Sequence, residues 1–72
     1  MTHQEIRSKF NTHENSDRDR VLMYLFEHRG ASAKELRFVF GRTRYSSDRV
    51  RDTTQYLKRR AKEVGSDLFD HL

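Results

Sequence analysis

The sequence contains no cysteine, no proline and no tryptophan, and only three glycines among its 72 residues. Without cysteine there is neither a disulfide framework nor a thiolate metal site, which excludes knottin-like scaffolds and zinc fingers. The longest unbroken apolar run, from Val21 to Phe26, is far too short to cross a membrane. The N-terminal residues form no apolar signal core, so we expect an intracellular protein, located in the cytoplasm or nucleoid or in a nucleus.

Apolar side chains are also scarce. Leucine, isoleucine, valine and phenylalanine account for 16 of the 72 residues, about 22%, which is just above the level typical of disordered chains. The length predicts one small domain, 1–72, with no second one. There is no glycine-rich phosphate loop and no nucleophile elbow, and so short a chain cannot enclose a pocket. We therefore predict neither enzymatic activity nor a cofactor.

Helix start and stop signals divide the chain into four segments. Ser32 to Glu35 and Thr2 to Glu5 have the form of a capping box. Each glycine follows an amphipathic stretch, where a left-handed helix C-cap is expected; these are Gly30, Gly41 and Gly65. The signals predict helices at 3–10, 17–29, 32–40 and 47–64, with a polar joint at 11–16.

Apolar spacing supports this all-α interpretation. In the fourth helix the apolar stripe is spaced four, three, four and three residues: Val50, Thr54, Leu57, Ala61 and Val64. The stripes of the second and third helices are Val21, Leu22, Leu25 and Phe26, and Ala33, Leu36, Val39 and Phe40. A buried strand over 21–26 is the competing interpretation, but the flanking serine, acidic residues and glycine favour a helix.

Positive charge is concentrated in one part of the chain. Residues 42–62 hold eight basic and two acidic side chains, whereas residues 1–41 hold seven and six. The last ten residues hold three acids and no base. In the fourth helix, a turn of about 100° per residue places arginine, lysine and glutamine opposite the apolar stripe. Such a strip suits a polyanion, because each cation can replace a counterion at a phosphate.

The order of the segments resembles a helix-turn-helix domain of the winged-helix type. Residues 21–30 resemble the first core helix of that family, 32–41 the second, and 47–64 the recognition helix that lies in the major groove. The resemblance covers residues 17–64. The connection at 41–46 is longer than the three- or four-residue turn of the motif. The segment after Val64 is too short for a two-stranded wing, so we expect a small tri-helical core without a full wing, preceded by a short helix and joint (1–16) and followed by an acidic tail (65–72).

The resemblance and the basic strip together imply a protein that binds double-stranded DNA, either a transcriptional regulator or an accessory factor. Arg51 and Gln55 have the donor geometry to read guanine and adenine edges, and Ser47 is a third candidate for base contact. The candidate phosphate contacts are Arg42, Arg44, Lys58, Arg59 and Lys62. Tyr45 lies in the loop that carries Arg42 and Arg44. It has two equally good interpretations: it contacts the phosphate backbone of DNA, or it packs over the start of the fourth helix.

Other interpretations of the same features stay open. The strip could be an ordinary solvated exterior, in which Asp48 pairs with Arg51, or it could dock an acidic protein, with Phe38 and the tail at 66–72 as anchors. RNA is a third option, although no aromatic platform for stacked bases is visible.

The nearly all-apolar second helix suggests a homodimer. Leu68, Phe69 and Leu72 are expected to fold onto the core, and Ile6 and Phe10 either cap it or form an exchanging arm. The four histidines lack metal-binding spacing, so we predict surface histidines and no metal.

Overall fold

The computed structural model describes residues 2–41 and 46–72, and of Ser47 it describes the backbone alone. The described residues form four helices and no strand, which confirms the all-α prediction. The helices are α1 (His3–Phe10), α2 (Asp17–Glu27), α3 (Ala33–Phe40) and α4 (Ser47–Val64).

Each helix begins at a hydroxyl side chain that caps the first free amides. Thr2 and Glu5 form the predicted capping box, in which the Thr2 hydroxyl accepts from the Glu5 amide and the Glu5 carboxylate accepts from the Thr2 amide. Serine caps the other three helices by accepting from the amide three residues later; these serines are Ser16, Ser32 and Ser46. These caps supply acceptors for amides that have no partner within the helix.

The three glycines end their segments in different ways. Gly65 caps α4 in the left-handed conformation (φ 72°), as predicted. The same prediction is wrong for Gly41, which keeps right-handed helical angles (φ −69°, ψ −13°) and donates its amide to the Arg37 carbonyl. A Cβ at Gly41 would collide with that carbonyl oxygen, so close backbone approach is the reason for glycine here.

The second helix ends two residues earlier than predicted. It stops at Glu27, because His28 leaves the helical region while its amide still bonds to the Tyr24 carbonyl. Gly30, with φ 87°, lies in the turn that follows. The chain then passes through buried Ala31 to the cap of α3.

The core is built from all four helices and from the segment that follows α4. Its largest fully buried side chains are Phe10, Phe69, Leu22, Leu25, Leu36 and Leu57. The rings of Phe10 and Phe69 lie 5.9 Å apart between centroids, and Leu68 is also buried. The prediction that the tail folds onto the core is confirmed. In contrast, Ala33 is predicted in the core but is exposed, because it faces the groove between α3 and α4.

The apolar side chains around α2 are covered within the chain. Met23, Tyr24 and Phe26 pack partly buried against the core. The Tyr24 hydroxyl donates to Glu35 of α3 at 2.5 Å, and its ring meets Phe40 edge to face. The hydrogen bond to the Glu35 carboxylate raises the pKa of Tyr24. These contacts cover part of the apolar surface of α2 within the chain.

One carboxylate lies inside the domain, where α1, the joint and α2 meet. Asp19 is 2% exposed and accepts two hydrogen bonds from Arg7, at 2.8 Å from Nε and 3.1 Å from Nη2. The Thr12 hydroxyl and the Asn15 amide donate to it as well. Buried charge is tolerated when it is paired and fully hydrogen-bonded, so this network fixes α1 against α2.

Candidate nucleic-acid interface

The fourth helix separates an apolar side from a basic one. Val50, Leu57 and Ala61 are buried, and the hydroxyl of buried Thr54 is satisfied by the Val50 carbonyl at 2.8 Å. The helix therefore turns the opposite side to solvent, as the four-and-three spacing predicts. Only Val64, at the last position of the stripe, is partly exposed.

Four of the eight predicted contact residues share one exposed surface of α4. We define the basic face as Arg51, Gln55, Arg59 and Lys62, all of which are exposed. Gln55, Arg59 and Lys62 line a single shallow depression together with Lys58. The side chain of Ser47 lies outside what the structure describes, as do Arg42, Arg44 and Tyr45.

Lys58 differs from the rest of the predicted set. It is half-buried, and its Nζ donates to the Leu72 carbonyl in the tail. This contact holds the tail against α4. The lysine therefore already has an acceptor within the chain, and a phosphate would have to share or replace it.

Charge varies along the basic face. Arg51 lies 3.4 Å from Asp48 and 3.9 Å from Asp52, and all three side chains are largely exposed. Arg59 and Lys62 make no ion pair with any residue that the structure describes. The uncompensated positive charge thus lies toward the C-terminal end of α4. Exposed pairs such as Arg51–Asp48 are worth only about 0–1 kcal/mol, so Arg51 can exchange its partner at little cost.

Arg37 of α3 was not among the predicted contacts, yet it belongs to the same surface. It lines a groove between α3 and α4 together with Arg51, Gln55 and Lys58. Arg37 is exposed and has no ion pair within the described residues. In the sequence, Arg37 is marked only by its position directly after the core residue Leu36. That position does not show that Arg37 lies beside α4 unless the packing of α3 on α4 is known.

The side of α4 that carries Arg49 and Tyr56 contacts the start of α2. The guanidinium of Arg18 lies 3.6 Å from the centroid of the Tyr56 ring, a cation–π contact. Arg49 and Asp17 form an ion pair at 2.5 Å. These contacts tie this side of α4 to the start of α2 and give Arg18 and Arg49 partners within the chain.

The histidines are at the surface, as predicted, since His3, His13, His28 and His71 are all exposed. Two make polar contacts: His3 with Glu27 at 2.9 Å, and His71 with the Ala31 carbonyl at 2.7 Å. In the described part of the chain, no group of three histidine, aspartate or glutamate side chains is placed to hold a metal ion. Within the same residues, no helix has both the length and the apolar character needed to span a membrane.

Comparisons of the chain with protein-family models, with curated protein sequences and with solved structures give no match.

Proposed function

We propose that this domain binds double-stranded DNA through the basic face of α4, with α3 and α4 acting as a helix-turn-helix pair, and that it serves as a transcriptional regulator or accessory factor. The observation that carries the proposal is the exposed face of an 18-residue helix on which Arg59 and Lys62 have no ion-pair partner among the described residues. Cations without partners gain most from a phosphate, because no ion pair must be broken first.

The distribution of charge suggests how α4 is oriented on the duplex. Arg59 and Lys62 would lie along phosphates, with Arg37 adding a contact from α3. Arg51 and Gln55 would reach base edges, where bidentate donors discriminate guanine and adenine. Asp48 and Asp52 would repel phosphates, which favours the base edges over the backbone for the N-terminal half of α4.

The first experiment is a titration of the protein into a labelled random-sequence duplex, followed by fluorescence anisotropy. We expect micromolar binding that falls steeply between about 50 and 200 mM salt. Replacing Arg59 with glutamine should weaken binding to every sequence and flatten the salt slope by about one. Lys9→Gln is the matched control, because it removes one exposed charge from α1 and should leave the slope unchanged. Absence of binding at the lower salt concentration would overturn the proposal.

The second experiment separates the base contacts from the phosphate contacts. Once a preferred site has been selected from a random library, Arg51→Ala should lose about 1–3 kcal/mol of discrimination at one base pair. Arg59→Gln should weaken all sites alike. If Arg51→Ala keeps the full site preference, the assignment of Arg51 to base contact is wrong.

One observation favours the alternative, docking of an acidic protein partner. Phe38 is a large apolar side chain that is 63% exposed, and it adjoins Arg37 in sequence. The tail at 66–72 is a weaker anchor, since Leu68 and Phe69 are buried. In this alternative, Phe38→Ser abolishes binding of the partner and the protein has no affinity for the duplex.

A homodimer is a further hypothesis, because two copies would double the phosphate contacts and match a two-fold operator. A sedimentation mass equal to that of the monomer at micromolar concentration would count against it.

A further inference from the structure

The groove between α3 and α4 has an apolar floor and a cationic rim. Its volume is about 230 Å³. Ala33, Val50 and Leu72 supply apolar surface, and the rim carries Arg37, Arg51 and Lys58. Among the residues that the structure describes, no aspartate or glutamate side chain lines it. Apolar surface beside convergent charged groups is typical of small-molecule sites.

The three cations of the rim are not equally available. Lys58 donates to the Leu72 carbonyl, and Arg51 lies near Asp48. Arg37 has no ion pair within the described part of the chain, so it offers an anion the least competition. The anion should therefore lie nearest the α3 side of the groove.

We propose that this groove binds a small amphipathic carboxylate, a free molecule with one carboxylate held by Arg37 and a compact apolar body over Ala33 and Val50. A volume of about 230 Å³ is below the range of about 300–1,000 Å³ that is usual for pockets of drug-sized ligands, so the occupant must be small. That matches a medium-chain fatty acid or a simple aromatic acid. A bare phosphate would satisfy the rim but would leave the apolar floor in contact with water.

This inference does not depend on DNA binding. It does have a consequence for that function, because Arg51 and Gln55 belong both to the basic face and to the groove. A bound carboxylate would compete with DNA for Arg51, and the site would then act as an effector site on the recognition helix.

The test is a titration of isotope-labelled protein with octanoate, followed by two-dimensional nitrogen–proton NMR, well below the concentration at which octanoate forms micelles. We expect saturable shifts confined to residues around Ala33, Val50 and Thr54, with a dissociation constant of about 0.1–1 mM. Octanamide has the same apolar body without the charge, and inorganic phosphate has charge without the body. Both should bind at least about tenfold more weakly. Equal binding of either probe, or octanoate shifts spread over the whole domain, would overturn the proposal.

Two variants locate the site. Arg37→Gln should weaken octanoate binding about tenfold, whereas Lys34→Gln, which removes one charge from the same helix outside the groove, should not. Ala33→Phe fills the groove, keeps every charge and should abolish the shifts. If Lys34→Gln weakens binding as much as Arg37→Gln, or if Ala33→Phe binds octanoate normally, the groove is not the site. The titration contains no DNA, so its outcome is independent of the anisotropy experiment.

Discussion

Replacing Asp19 with alanine is expected to cost about 3 kcal/mol of unfolding free energy, because it leaves the partly buried guanidinium of Arg7, whose side chain is 20% exposed, without its partner. The Thr12 hydroxyl and the Asn15 amide lose an acceptor in the same change. A domain of this length has only about 4–11 kcal/mol of stability in total. Urea denaturation followed by circular dichroism should therefore show a largely unfolded variant or one with a strongly reduced midpoint.

The matched control is Asp17→Ala, which removes the same side chain from the same turn of α2. Asp17 pairs with Arg49, and the two side chains are 24% and 62% exposed, so water can replace the partner and the pair contributes about 1 kcal/mol. We expect a small shift of the denaturation midpoint for this variant. If the two variants lose equal stability, the network around Asp19 is not the source of the effect.

The same carboxylate predicts how stability depends on pH. Burial alone would raise the pKa of Asp19, but hydrogen bonds from Arg7, Thr12 and the Asn15 amide, with the charge on Arg7, hold it below its usual value. A lowered pKa means that the folded state favours the ionised carboxylate. This contribution is present above the unfolded pKa of about 3.9 and is lost as pH falls through it toward the folded value. The loss of stability between pH 6 and pH 3 should be smaller in Asp19→Ala than in the parent protein.

Phe69→Ala is the second substitution with a large expected effect. The side chain is fully buried, and its ring packs against that of Phe10. Truncating a buried phenylalanine costs about 3–5 kcal/mol, since the site loses both the transfer energy and the packing around the cavity. Denaturation should show that the segment after α4 is part of the cooperative unit.

Phe38→Ala makes the same chemical change at a side chain that is 63% exposed. It should change the unfolding free energy by about 0.5 kcal/mol or less. A small effect at Phe69, similar to that at Phe38, would mean that the tail adds little to the core.

The sequence predicts the elements of this fold well because their signals are local. The α4 range of 47–64 follows from the four-and-three spacing and Gly65, and the structure agrees. The end of α2 at Glu27 and the right-handed Gly41 were not predictable in this way. Both depend on where the chain must go next to pack, which a local pattern does not contain.

In the candidate site, too, some features follow from local sequence patterns and others depend on tertiary packing. The helical period predicts that the basic face is exposed, because it lies opposite the buried apolar stripe of α4. Arg37 could not be added from the sequence, because its place beside Arg51 depends on the angle at which α3 crosses α4. The contact from Lys58 to Leu72 depends on the tail folding back, a tertiary event.

The Phe10–Phe69 contact also bears on the order in which the domain is assembled. Nearly the whole described sequence lies between the two rings, so the contact closes a long loop. The conformational entropy of that loop must be lost before the packing energy of the two rings is gained. The local pairings of α1 with α2 and α3 with α4 close much shorter loops. In a chain that grows from its N-terminus, the Phe10–Phe69 contact cannot form until residue 69 has left the ribosomal exit tunnel. The last side chains of this core are therefore supplied well after α1 and α2 have emerged.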